Sequence, residues 1–93
     1  MLPKISDIKP IKDYRLIVTF EDGKTVLYDL EKDIKTSDDF KRLTAICGLF
    51  QQVKIDESKT CIYWNDRIDL PSDTLLEYGK VISEEEIKEL LAG

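Results

Sequence analysis

The chain has 93 residues, 42% of them hydrophobic and 35% charged, with a formal net charge of −5. That is one domain burying roughly 60–65% of its unfolded surface, with no need of metal or disulfide support. The acidic balance argues against a protein that displaces counterions from nucleic acid. No apolar run approaches membrane-spanning length and no apolar leader opens the chain, so a cytoplasmic protein is expected.

Residues 3–11 read as a first strand with Ile5 pointing inward. Pro3 and Pro10 lack an N–H donor, which assigns this strand to an edge. Lys12-Asp13 then leads into a hairpin, Tyr14–Phe20 and Lys24–Leu30 around Glu21-Asp22-Gly23. A three-residue loop pairs Phe20 with Lys24, Val18 with Val26, Leu16 with Tyr28 and Tyr14 with Leu30. This register gathers the apolar side chains on one face, and a slip of one residue would scatter them. It also gives Gly23 the left-handed position, where glycine avoids a Cβ clash.

After Leu30 the period changes to that of a helix. Thr36 or Ser37 can cap it, Asp38 and Asp39 suit its positive end, and Gly48 suits its exit. Phe40, Leu43, Ile46 and Cys47 form its apolar stripe. A second hairpin is expected from Gln51–Ile55 and Thr60–Trp64, pairing Ile55 with Thr60, Val53 with Ile62 and Gln51 with Trp64. Asn65-Asp66-Arg67 makes a turn into the extended Ile68-Asp69-Leu70. Pro71 opens a short helix through Leu75, Leu76 and Tyr78 that Gly79 ends. Ser83 with Glu86 forms a capping box for a last helix, whose stripe is Ile87, Leu90 and Leu91. Strands joined by tight turns imply an α+β fold, an antiparallel sheet of about five strands covered on one face by helices.

Three stretches carry a family likeness: Tyr14–Gly23, then Phe40-Lys41-Arg42-Leu43 leading to Phe50, then Trp64–Leu70 with Leu75. In this order and spacing the chain resembles the bacterial family of domains of unknown function 2442, over roughly residues 3–79. Residues 1–79 are then the family-like α+β part, and 80–93 an amphipathic helix of the same domain. The family commonly shows Trp-Pro-Asn-Gly before the Ile-Asp step, where this chain has Asn65-Asp66-Arg67 after Trp64. The resemblance implies no established activity. It does imply pairing with a genetically linked small protein, in the manner of a toxin–antitoxin system. Some members carry an added helix-turn-helix domain, which a single helix after Gly79 cannot supply.

Catalytic chemistry finds little support in these residues. Histidine is absent, so a Ser–His or Cys–His pair cannot form within the chain, and a structural metal lacks ligands. The carboxylates at Asp38-Asp39 and Glu84-Glu85-Glu86 sit where helix dipoles attract them. The four glycines are isolated, with no phosphate loop among them. Cys47 and Cys61 read as reduced packing residues in a helix and a strand. The expectation is a non-enzymatic protein without cofactor or metal.

Two places could meet a partner. Trp64 could be an exposed anchor rimmed by Asp66, Arg67 and Asp69. Alternatively Trp64 packs in the core and Asp69 caps the helix after Pro71. Ile87, Leu90 and Leu91 could pack on their own sheet, or on a second copy or another small protein. Lys9, Lys12, Arg15 and Lys24 read as solvated charge, with a local basic cluster as the alternative. The leading expectation is a protein–protein binding module, and the second is a regulator that touches nucleic acid directly or through its partner.

Overall fold

A computed structural model describes residues 2–92. In chain order its elements are β1 (Ile5–Ile11), β2 (Arg15–Phe20), β3 (Thr25–Asp29), α1 (Glu31–Thr36) and α2 (Asp38–Ala45). A 3₁₀ turn (Phe50–Gln52) leads to β4 (Lys54–Ile55), β5 (Cys61–Asn65), β6 (Ile68–Pro71), α3 (Ser72–Tyr78), β7 (Lys80–Val81) and α4 (Glu84–Ala92). The fold is α+β, but the strands form two antiparallel sheets, β1-β2-β3-β7 and β4-β5-β6, and not one of about five. β4 has only two residues, and the Ile5 N–H donates to the Lys59 carbonyl (2.7 Å) where the two sheets meet.

The β2–β3 hairpin takes the register that its apolar parity demands. Leu16 lies opposite Tyr28 and Val18 opposite Val26. The Phe20 N–H donates to the Lys24 carbonyl (2.8 Å) to close the three-residue loop, and Gly23 has φ 94°. The second hairpin differs: Ile55 lies opposite Ile62 and Lys54 opposite Tyr63. The register has moved by two residues, which keeps every side chain on its face. The Asp56 N–H donates to the Cys61 carbonyl (2.9 Å), and Lys59 turns the chain at φ 63°. The Asp56 carboxylate accepts from the Ser58 hydroxyl (2.7 Å) and N–H (3.2 Å), which fixes that wider turn. Gln51 and Gln52 belong to the 3₁₀ turn and not to a strand.

The helix expected after Leu30 is two helices. Leu30 and Ile34 bring α1 onto the core, and Asp29 Oδ1 accepts from the Glu31 N–H (2.9 Å) at its start. Ser37, with extended φ −126° and ψ 126°, breaks the run and caps α2 through Phe40 N–H. α2 ends at Ala45, so Ile46 and Cys47 lie beyond it and point to solvent instead of extending its stripe. At the other junction Gly79 is obligatory, because a Cβ there would collide with the Leu75 carbonyl oxygen and press on Val26.

One apolar cluster joins both sheets: Leu16, Val18, Val26 and Tyr28 from the larger, Ile62, Trp64, Ile68 and Leu70 from the smaller. Leu30, Leu43, Phe50 and Leu75 complete it. α4 stands apart. The register sets Lys9, Ile17, Leu27 and Lys80 in one row on the opposite face of the larger sheet. There Ile17 is only 3% exposed and Ile82 is also buried, though neither belongs to the main cluster. The Ile82 N–H donates to the Thr25 carbonyl (3.0 Å), α4 starts two residues later, and Glu86 reaches back to Lys80 in that row (4.0 Å). α4 therefore covers the outward face, so the helices occupy both sides of the sheet and not one.

Candidate functional site

An opening of about 610 Å³ lies between the β1–β2 turn and the exit of α2. Its floor is built by Tyr14, Leu43 and Phe50, and Ile11, Ile46 and Cys47 stand along its rim. The turn is unusual, since Asp13 (φ 66°) and Tyr14 (φ 55°) both adopt the left-handed region without being glycine. Each such residue costs about 1–3 kcal/mol, which surrounding contacts must offset. They do so through Tyr14. Its carbonyl accepts from the Leu30 N–H (3.0 Å), and its ring meets Phe50 edge-on at 5.2 Å. The strained turn thus holds a half-buried tyrosine over the core and leaves an apolar groove beside it. Ile46 is 50% exposed there, the feature a contact surface needs.

A smaller cleft of about 380 Å³ is lined by Tyr28, Asp29, Lys32, Asp33 and Tyr78, between α1 and α3. The Tyr28 hydroxyl donates to Asp33 Oδ2 at 2.7 Å. Burial, and then the hydrogen bond and charge of Asp33, push the phenol well above its ordinary range. At neutral pH it is a fixed donor and not a base. The Cys61 thiol is likewise pushed up, first by burial and then by the charge of Asp69, so it stays protonated. Among the described residues no three His, Cys, Asp or Glu side chains gather as a metal site requires.

The residues singled out in the sequence separate in space. Trp64 is not a surface anchor: it is 7% exposed, its indole N–H donates to the Phe50 carbonyl (2.9 Å), and its ring stacks on Phe50 at 6.3 Å. Asp66 and Arg67 are exposed at the β5–β6 turn, and Asp69 lies opposite Tyr63 on the outer side of that sheet. All three are exposed, whereas Trp64 faces inward by strand parity. Asp69 does not cap α3, whose N-cap is Pro71 with no side-chain bond. Ile87 and Leu90 are half-buried and Leu91 is 48% exposed. Of the basic residues, Lys9 and Arg15 share the outward sheet face, whereas Lys24 lies in the β2–β3 loop at the other end of β2. Arg15 and Lys24 lie 3.8 and 4.0 Å from Asp13 and Asp22.

The Asn65-Asp66-Arg67 turn explains how the chain dispenses with glycine there. Asn65 Oδ1 accepts from the N–H groups of Arg67 (2.9 Å) and Ile68 (3.1 Å), an Asx turn that needs no left-handed residue. The groove escaped the sequence because Ile46 and Cys47 continue a helical spacing that Gly48, at φ 81°, helps to end early. Leu30 and Ile34, four apart, were the available signal for α1.

Fold and surface define a small α+β domain with an apolar groove. The chain belongs to the family of proteins of unknown function DUF2442, whose model matches residues 5–81. Comparisons with curated proteins and with solved structures return no match. No helix among the described residues is long and apolar enough to cross a membrane.

Proposed function

We propose that this chain is a protein–protein binding module, and that its contact surface is the groove between the β1–β2 turn and the exit of α2. The observation that carries the reading is the half-exposed Ile46 beside a floor of Tyr14, Leu43 and Phe50. An apolar side chain of a partner gains burial there without rearranging the core, because the strained Tyr14 already holds the groove open. The partner is another small protein, a genetically linked one in a toxin–antitoxin-like pair, or a second copy of the chain. The protonated Tyr28 and Cys61 support a non-enzymatic reading, since neither is poised as a base or nucleophile. The unpaired thiols of Cys47 and Cys61 fit a reducing compartment, the bacterial cytoplasm in this reading.

The test is affinity capture from the native host with the tagged chain and with its Ile46→Glu variant. One stoichiometric small protein, or a second copy, held by the former and lost by the folded variant is the expected result. Retention of the same partner by Ile46→Glu would refute the groove as its site.

A further inference from the structure

A second surface lies under α4. Ile17 points away from the main core and yet is almost wholly covered, while α4 itself has no buried residue. The helix lends Ile87 and Leu90 in part and leaves Leu91 half exposed. Its tether to the sheet, the Lys80–Glu86 ion pair at 4.0 Å, stands in solvent, where such pairs add little. Ile17, Leu27 and Lys80 lie within the family match, which stops at Val81, and α4 begins after it.

We propose that the outward face of the β1-β2-β3-β7 sheet is a helix-binding surface that α4 occupies in cis. Its external ligand is an amphipathic helix of a partner protein with two apolar residues at i and i+3, the spacing of Ile87 and Leu90. Lys9 and Lys80 end the row that holds Ile17 and Leu27, so acidic residues flank that stripe in the partner helix, as Glu86 does in α4. The partner must displace α4, whose high effective concentration protects the face until a better-matched helix arrives. This surface is distinct from the groove, and the proposal stands whichever way the Ile46 experiment falls.

The probe is a fluorescein-labelled peptide of residues 83–92, titrated by anisotropy against the full chain and its Leu90→Ser variant. The variant loosens α4 and so vacates the face. The expected result is binding to the variant about tenfold tighter than to the unaltered chain. Replacing Ile87 and Leu90 of the peptide by Ser abolishes it. Equal affinity for both chains, no binding to the folded variant, or undiminished binding of the Ser-substituted peptide would overturn the proposal. Should Leu90→Ser lose its far-ultraviolet circular dichroism, Ser83→Ala, which removes the cap of α4 and leaves the sheet face intact, takes its place in the titration. Tighter peptide binding to Ser83→Ala than to the unaltered chain then supports the proposal, and equal binding overturns it.

Discussion

The two faces of the larger sheet are built from the same strands and do different work. On the inner face Leu16, Val18, Val26 and Tyr28 are buried among side chains from both sheets, α1, α2 and α3. On the outer face Ile17 and Leu27 lie under one helix that buries none of its own residues. Alternation along a strand gives both faces apolar residues, so the contrast comes from what covers them. A face sealed by several elements is fixed by all of them together. One sealed by a single helix opens at the cost of that helix alone.

Substitutions sharpen the contrast in descending order of effect. Leu16→Ala on the inner face removes side-chain volume where no neighbour can collapse, and a loss of about 2–5 kcal/mol is expected in denaturant unfolding. Ile17→Ala on the outer face should cost about 2 kcal/mol, the low end of that range, because α4 can settle toward the gap. Equal losses would break the comparison. Tyr28→Phe leaves Asp33 without its donor and should cost about 1 kcal/mol at neutral pH. Its pH dependence has a definite sign. The folded phenol ionises above the unfolded one, so its contribution is intact below about pH 10 and declines as pH rises beyond it. Unfolding free energy followed from pH 8 upward should fall less steeply in Tyr28→Phe than in the parent. Ser83→Ala, which removes the acceptor for the Glu86 N–H (3.3 Å), should fray α4 and leave the global unfolding midpoint nearly unmoved.

How much of this was legible in the sequence follows from how local each signal is. The β2–β3 hairpin combined an Asp-Gly turn with strict apolar parity on both arms, and only one register satisfied both. The β4–β5 hairpin had parity alone. A shift of two residues preserves parity, so the side-chain interactions of Asp56 with Ser58 and the φ of Lys59 decided it. Trp64 admits both readings in the sequence because the residues after it are polar. Its burial depends on the Phe50 carbonyl and ring, fourteen residues away. The groove depends on where α2 stops and on a strained turn at Asp13 and Tyr14, neither of which periodicity reports. Ile87, Leu90 and Leu91 were visible as a stripe, but the face they meet is set by sheet topology.

Native-state hydrogen exchange on the unaltered chain tests the difference between the two faces most directly. The amides of Ile87, Leu90 and Leu91 should exchange at least about tenfold faster than those of β2 and β3, through an opening that leaves the inner core closed. Identical protection across α4 and the central strands, all lost in one global step, would contradict the account and make α4 as integral as the core.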